Sequence, residues 1–262
     1  MPRLFQLKTF LRYWLDAVDA HSLHSPFFYD FYKNVIDTTT DRTLFAGIER
    51  ERNAFLQNES EVEVLDLGSG TTNDSTKRKV KEIASTSLSP SRLSALYTRL
   101  ISFYQLKEVL ELGTSLGINT LYLAAQASHV TTFEGAPVVA AIARSLFNRV
   151  GSTNITIIQG NIDQTLPDHL LRSKPIDLAI IDANHRYEPT LNYFNQIIHR
   201  ISPRGIIVID DIHYNEGMER AWTDLKTNQL VYGSADIYRA GFLFFDPSLN
   251  KQHVVLQHQL LK

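Results

Sequence analysis

The sequence predicts an α/β protein with a Rossmann-like, doubly wound sheet of seven strands that ends in a C-terminal antiparallel hairpin. From residue 89 onward, strand-like and helix-like segments alternate, which is the pattern of right-handed parallel βαβ units. Continuous apolar runs at 178–181 and 206–209 are typical of strands that are buried on both faces of the sheet. A chain of 262 residues is long enough for one such domain with an extension.

The composition is that of an ordinary globular protein, with 44% hydrophobic and 21% charged residues and a formal net charge of −2. Because a near-neutral chain lacks the positive field of a nucleic-acid binder, we expect no nucleic-acid partner. The chain contains no cysteine, which excludes disulfides and thiolate nucleophiles and suits a reducing compartment. No apolar run reaches the ~18 residues of a membrane span and the first residues do not resemble a signal peptide, so we expect a cytoplasmic protein without a membrane partner.

Residues 1–88 are predicted to form a helical extension or lid in front of a domain at 89–262. Apolar residues recur at helical spacing along the first helix, at Leu4, Leu7, Leu11, Trp14 or Leu15, and Val18. We expect this stripe to pack on its own domain. The alternatives are that it contacts a membrane surface or a second subunit, in which case the protein is a homodimer.

Two more helices and a loop are predicted within the extension. Ser25 followed by Pro26 is a typical helix start, and this helix is expected to run to residue 36. Asp41 is expected to cap a third helix that ends near Gln57. The polar segment at 66–81 is predicted to be a loop.

In the domain at 89–262, the predicted elements follow one another at short intervals. Helices are predicted at 91–104, 118–127, 137–150, 166–172 and 188–201. Strands are predicted at 108–112, 129–133, 155–159, 176–182 and 205–211. The segments 229–238 and 241–245 are joined by a short turn and are expected to form the closing antiparallel hairpin.

The most informative motif is the turn after the first of these strands, where Glu111, Gly113 and Gly117 give the spacing E-x-G-x-x-x-G. Glycine lets a bulky nucleoside approach the backbone, and the amides at the start of the next helix point at whatever binds there. Thr114 and Ser115 lie inside this turn and are expected to contact the same ligand. The spacing differs from the G-x-G-x-x-G of dinucleotide binders and favours S-adenosylmethionine over NAD.

A second glycine motif, Asp66 with Gly68 and Gly70, resembles a cofactor loop only in isolation. It is followed by a polar, charged segment rather than by an apolar helix. About twenty residues after this motif, the sequence has no predicted strand that ends in an acidic residue. We therefore expect this motif not to contact the cofactor; a loop over the substrate pocket is the alternative.

Polar residues end the later strands as well. Glu134 follows the second strand, 23 residues after Glu111, and a carboxylate at this place can accept hydrogen bonds from both hydroxyls of a ribose. At the end of the third strand, Gly160, Asn161 and Ile162 are expected to border an adenine ring. Because carboxyl ends of parallel strands share one edge of a sheet, we expect these residues to form one ligand site there.

Residues 89–246 resemble the class I S-adenosylmethionine-dependent methyltransferases. The matching residues are Glu111, Gly113 and Gly117 of the first motif, Glu134 as the ribose-binding acid, and Gly160 with Asn161 at the adenine turn. The resemblance implies a Rossmann-like fold, S-adenosylmethionine as cofactor and methyl transfer as the reaction.

Within that class, the segment 180–185 and the pair Asp210 and Asp211 are similar to the catechol/caffeoyl-type O-methyltransferases. In those enzymes the corresponding acids coordinate a divalent cation that holds vicinal oxygens of the substrate. The similarity implies that Asp182, Asp210 and Asp211 hold Mg²⁺. The sequence departs from the pattern at two positions, since Asp211 stands where that family usually has asparagine and His185 where it has lysine.

Two mechanisms for activating an oxygen acceptor are therefore possible. Asp182 is also expected to contact the cofactor. In the first, Mg²⁺ on the three carboxylates acidifies a bound hydroxyl. In the second, His185 or His213 acts as a general base, with Asp182 and Asp211 close to the reacting groups.

The function predicted from these residues is S-adenosylmethionine-dependent O-methylation of a small-molecule acceptor. One alternative transfers the methyl group to nitrogen or to a protein side chain. Another is a non-catalytic protein that binds S-adenosylmethionine. A nicotinamide-dependent dehydrogenase is disfavoured, because the glycine spacing is wrong for a dinucleotide.

Overall fold

A computed structural model describes residues 2–38, 42–65 and 75–258. The helices are α1 (Pro2–Asp16), α2 (Pro26–Phe31), α3 (Ala46–Leu56), α4 (Val80–Ser87), α5 (Ser91–Tyr104), α6 (Ile118–Ala124), α7 (Pro137–Arg149), α8 (Ile162–Arg172), α9 (Tyr187–Ile197) and α10 (Glu216–Lys226). The strands are β1 (Glu61–Leu65), β2 (Ser75–Lys79), β3 (Glu108–Leu112), β4 (His129–Glu134), β5 (Ile155–Gln159), β6 (Ile176–Ile181), β7 (Ile201–Asp210), β8 (Gly233–Asp236), β9 (Ala240–Phe244) and β10 (Gln252–Val255). Short turns of other helix types lie at Ala20–Ser22, Tyr32–Ile36 and Arg42–Phe45.

The main sheet has the order β10-β8-β9-β7-β6-β3-β4-β5 and is mostly parallel, which confirms the predicted α/β class. It contains eight strands, so the predicted number of seven is wrong. The additional strand is β10, which pairs in parallel with β8. It has only four residues, two of them polar, and therefore has no apolar pattern that marks it in the sequence.

Most predicted elements of the sheet domain are confirmed. The helix at 91–104 and the strands at 108–112 and 155–159 have the predicted bounds at both ends. The closing hairpin is confirmed, since β8 and β9 pair antiparallel. Helix α10 was not predicted; its capping residue is Asn215, whose side chain accepts a hydrogen bond from the amide of Met218 at 2.9 Å.

The predicted loop at 66–81 is wrong from residue 75 onward, because Ser75–Lys79 form β2, which pairs antiparallel with β1 in a separate two-stranded sheet. Every residue of β2 is polar, so no apolar alternation marks it. The glycine motif at 66–70 and the predicted helix cap at Asp41 lie outside the described residues. The third helix itself is confirmed from Ala46 to Leu56, after a short helical turn.

The chain groups into two compact units, residues 39–172 and residues 1–38 with 173–262. Residue 88, the predicted end of the extension, lies inside the first of these. In that unit, residues before 88 share one apolar core with α6 and α7; Phe45, for example, packs on Tyr122 with 4.4 Å between ring centroids. The Tyr122 hydroxyl donates to Glu49 at 2.8 Å. This core includes Leu116, which lies in the glycine-containing turn between β3 and α6, and it holds that turn in place.

The apolar stripe of α1 does not pack on its own domain, so that expectation is wrong. Leu4, Leu7, Leu11, Trp14 and Leu15 are all exposed. The helix instead packs through its other side, where Thr9 and Tyr13 are buried. Among the described residues, no helix is long and apolar enough to cross a membrane.

Candidate functional site

The glycine turn between β3 and α6 has the conformation that its sequence requires. Gly113, Ser115 and Gly117 all have positive φ angles, of 105°, 47° and 84°. The first and last are tolerated without strain because glycine has no Cβ. The amides of Gly113 and Thr114 donate to the carbonyl of Phe133 at 3.1 and 2.9 Å, so the turn is fixed to the end of β4.

Glu111 does not face an open site. It is 1% exposed, and three side chains donate to its carboxylate: Asn119 at 2.8 Å, Thr120 at 2.5 Å and Thr132 at 2.6 Å. Burial raises the pKa of this carboxyl, against the effect of these three donors. The hydroxyl of Thr114, also predicted to bind the cofactor, lies 2.6 Å from that of Thr132 and continues the same buried network. The network ties β3, β4, α6 and the turn together, which is a positioning role.

Glu134 is held at the end of β4 by backbone amides. Ser115 donates to Oε2 and Ala136 to Oε1, both at 2.9 Å. Burial raises the pKa of this half-buried carboxyl, and the amides partly offset that rise. A carboxylate has about four lone-pair sites, more than these amides use, so it can still accept from a ligand hydroxyl. The turn thus orients the acid that the sequence assigns to the ribose.

The turn after β5 lies beside this acid. The amide of Gly160 donates to the carbonyl of Glu134 at 3.0 Å, and its φ angle is 134°. Asn161 caps α8, since its Oδ1 accepts from the amide of Asp163 at 2.9 Å. Ile162 begins that helix and is partly buried. The unit of residues 39–172 therefore brings the predicted ribose and adenine residues to one place.

A second group of predicted residues lies in the other unit. Asp210 is only 2% exposed, and this burial raises the pKa of its carboxyl strongly. The charges of Asp182 and Asp211 raise the same pKa further. Arg239 and His185 act in the opposite direction on the same carboxyl. We call Asp182, His185, Asp210, Asp211 and Arg239 the acid cluster.

Two members of the acid cluster already have cationic or imidazole partners. Nε of Arg239 lies 2.9 Å from Oδ1 of Asp211, and Nε2 of His185 lies 3.4 Å from Oδ1 of Asp182. Across the parts of the chain that the structure describes, no group of three or more acids and histidines has an arrangement that could hold a metal ion. With a guanidinium on Asp211, this donor set does not fit the predicted Mg²⁺. Arg239 was not predicted, because a single arginine in a hairpin turn carries no spacing signal.

The backbone around the acid cluster is strained. Asn184, His185 and Asp211 have φ angles of 64°, 38° and 55°, in a region that residues with a Cβ rarely adopt. Each such residue costs on the order of 1–3 kcal/mol and persists where the surroundings hold it, most often at a functional site. The strain coincides with the segments that the sequence assigns to catalysis.

The two candidate bases differ in access. Nε2 of His213 lies 2.9 Å from Oδ2 of Asp236, and its Nδ1 is buried. Its ring stacks on Tyr238, with 5.4 Å between centroids. The side chain of His185 is 31% exposed, against 11% for His213. Within the described residues, both histidines have a carboxylate at Nε2 and a buried Nδ1 without a hydrogen-bond partner, so only its greater exposure favours His185 as the base.

Comparison with known proteins gives a consistent picture. Residues 110–212 match a family described as a methyltransferase domain. The chain is 34% identical over 115 residues to protein-L-isoaspartate O-methyltransferase 1 of Polaromonas sp. (strain JS666 / ATCC BAA-500), a match that covers 44% of this chain and 45% of that protein. It is 35% identical over 113 residues to catechol O-methyltransferase of Mycobacterium tuberculosis (strain ATCC 25618 / H37Rv), covering 41% and 49%. The matches thus span about half the length of each relative.

Among solved structures, an O-methyltransferase from Bacillus cereus in complex with SAH superimposes with a TM-score of 0.55 and 19% identity. The superposition covers 82% of this chain and 94% of that one. The chain therefore has the Rossmann-like fold of this methyltransferase.

Proposed function

Because residues 110–212 match a family described as a methyltransferase domain, we propose that this protein is an S-adenosylmethionine-dependent O-methyltransferase that acts on a small molecule. The observation that carries the proposal is the Glu134 carboxylate at the end of β4, which is held by the amides of Ser115 and Ala136 and can still accept a further hydrogen bond. A ribose diol is a ligand that donates hydrogen bonds to such a carboxylate. The two relatives described above are both O-methyltransferases by name.

In this proposal the unit of residues 39–172 binds the cofactor. Glu134 accepts hydrogen bonds from the ribose, Gly160 and Asn161 border the base, and the turn from Gly113 to Gly117 lies against the nucleoside. Glu111 acts indirectly, through the network that holds the turn. S-adenosylmethionine, when bound, supplies an activated methyl group, so the protein mainly has to position the acceptor and exclude water.

The unit that contains the acid cluster handles the acceptor. We propose that His185 takes the proton of the acceptor hydroxyl, and that Asp182, whose Oδ1 lies 3.4 Å from Nε2 of His185, stabilises the resulting imidazolium. Arg239 balances the charge of Asp211, and the raised pKa of Asp210 favours the uncharged form of that carboxyl. Because the donor set does not fit Mg²⁺, no step depends on a metal.

The remaining expectations from the sequence stay proposals. They are a small-molecule acceptor, no nucleic-acid or membrane partner, a cytoplasmic location and a homodimer. Transfer to nitrogen or to a protein side chain is not favoured by the comparisons. A non-catalytic protein would bind S-adenosylmethionine without transferring its methyl group.

The test is a methyl-transfer assay with radiolabelled S-adenosylmethionine and a panel of small hydroxylated aromatics, catechol among them. We expect transfer to at least one hydroxyl, and we expect it to be unaffected by EDTA. His185→Gln should lower the rate by about 10²–10⁴-fold, which is the usual contribution of a general base. His199→Gln is the matched control, since His199 is an exposed histidine outside the acid cluster.

Loss of activity in EDTA with recovery on adding Mg²⁺ would contradict the metal-free mechanism. An unchanged rate for His185→Gln would remove that residue from the reaction. Cofactor binding without transfer to any member of the panel would leave only the binding part of the proposal.

A further inference from the structure

The exposed side of α1 is an apolar surface held rigidly at the protein's exterior. Leu4, Leu7, Leu11, Trp14 and Leu15 are between 49% and 74% exposed, although each is a large apolar side chain. We call these five residues the α1 stripe. Isolated exposed leucines need no explanation, but a contiguous set on one helix face does.

The exposure does not result from a loosely attached helix. On the opposite side, the hydroxyl of Tyr13 donates to the carbonyl of Leu256 at 2.6 Å. The rings of Phe10 and Tyr13 lie 5.4 and 5.3 Å from that of Tyr238, whose hydroxyl donates to the carbonyl of Gln6 at 3.1 Å. These contacts fix the rotation of α1 about its axis and keep the stripe turned outward.

The spacing of the stripe favours a helix as its partner. Leu4, Leu7, Leu11 and Trp14 follow one another at intervals of three, four and three residues, which is the a/d spacing of a helix–helix seam. Leu15, the fifth member of the stripe, lies beside this seam at the flanking position of a packed helix pair. A second α1 has the matching surface, and a two-fold axis would place the stripe against itself.

The area and charge of the surface agree with a second copy. At the observed exposures, the solvent-accessible area of the five residues is roughly 600 Å², which is the upper limit for the largest apolar patch of a typical monomer. Each partner in a standard protein–protein interface contributes ~800 Å², which is close to this area. An anionic bilayer attracts clusters of roughly four to eight basic residues. Arg12 is already paired with Glu219 at 2.8 Å, which leaves Lys8 as the unpaired cation among the side chains of α1 that the structure describes.

We propose that the α1 stripe is a self-association surface, and that the protein forms a two-fold homodimer through α1. This inference does not depend on the proposed methyl transfer. It assigns the exposed face to a second copy of this chain rather than to a lipid surface.

Sedimentation velocity tests the proposal on the full chain. We expect the native protein to sediment with twice the mass of one chain at micromolar concentration. Leu7→Glu and Leu11→Glu should each sediment as monomers with an unchanged circular dichroism spectrum, because both residues are exposed within one chain. Leu171→Glu is the matched control, since Leu171 is 79% exposed on α8, and it should remain a dimer.

Cross-linking gives a second readout that does not rely on a charged substitution. The chain has no cysteine, so Leu11→Cys introduces a single thiol near the proposed axis. Mild oxidation should produce a covalent dimer from Leu11→Cys and not from Leu171→Cys. A native protein that is monomeric, a dimer that survives both glutamate variants, or a monomer that sediments with phosphatidylglycerol vesicles would overturn the proposal.

Discussion

Replacing Glu134 by alanine is expected to weaken the binding of S-adenosylmethionine by about 100-fold. A hydrogen bond to a charged group contributes about 1.5–3 kcal/mol, and in the proposed complex the carboxylate accepts one from each of the two ribose hydroxyls. The loss of both bonds at the lower end of that range is ~3 kcal/mol, and 1.4 kcal/mol corresponds to about tenfold in Kd. Isothermal titration calorimetry measures the change directly.

Two variants separate the ribose contact from other effects of the substitution. Glu134→Gln keeps the side-chain volume and one acceptor oxygen, so we expect a smaller loss, of about tenfold. Asp168→Ala removes an exposed acid from α8 in the same unit and should leave Kd unchanged. If Glu134→Ala binds the cofactor as tightly as the native protein, the assignment of this carboxylate to the ribose is wrong.

The second large expected effect is the loss of stability in Gly117→Ala, because there is no room for a Cβ at position 117. An added Cβ would lie 2.6 Å from Cε1 and 2.8 Å from Cζ of Phe147, on a residue whose φ is 84°. A left-handed conformation costs about 1–2 kcal/mol in a residue with a Cβ, and overpacking a core costs typically about 1–3 kcal/mol. We therefore expect Gly117→Ala to lower the free energy of unfolding by about 2–5 kcal/mol.

Gly151 provides the matched control for this substitution. Its φ is 71°, but no atom lies within 4 Å of the position that a Cβ would take. Gly151→Ala should therefore cost only the conformational part, about 1 kcal/mol. Urea unfolding followed by far-ultraviolet circular dichroism gives both values. Equal losses for the two variants would show that Phe147 yields to the new methyl group and that the close packing of the turn is not what requires glycine.

The parts of the fold that the sequence predicts well are those with a strong apolar period and clear turns. The strand at 108–112 is an apolar run that ends at a glycine turn, and the helix at 91–104 carries an amphipathic pattern. By contrast, β10 and β2 have no apolar pattern, since their pairing with neighbouring strands rather than their own composition makes them strands. Such pairing is a property of the whole fold.

For the N-terminal helix, the sequence predicts the helix but not its rotation about its own axis. Its period reveals an apolar stripe but not which side meets the core, because Phe10 and Tyr13 make a second apolar side. Their aromatic contacts with Tyr238 decide the rotation of the helix, and Tyr238 is more than two hundred residues away in the chain. A local pattern carries no information about such a contact.

In the candidate site, the sequence identifies residues but not their roles. The strand spacing alone predicts Glu134, and the structure adds the amides of Ser115 and Ala136 that hold its carboxylate. Glu111 fits the same motif, yet its carboxylate is buried among hydroxyl and amide donors, and so it supports the turn. Arg239 reaches Asp211 only because β7 and β9 pair, and the pairing changes the chemistry expected of the acid cluster.

The identity of the cofactor is the central claim, and one calorimetric series on the native protein tests it. The protein is titrated with S-adenosylmethionine, S-adenosylhomocysteine and NAD under the same conditions. We expect both adenosyl ligands to bind with micromolar affinity and NAD to give no heat of binding, because the turn has the spacing E-x-G-x-x-x-G. Binding of NAD alone, or of none of the three, would contradict the proposed methyltransferase function.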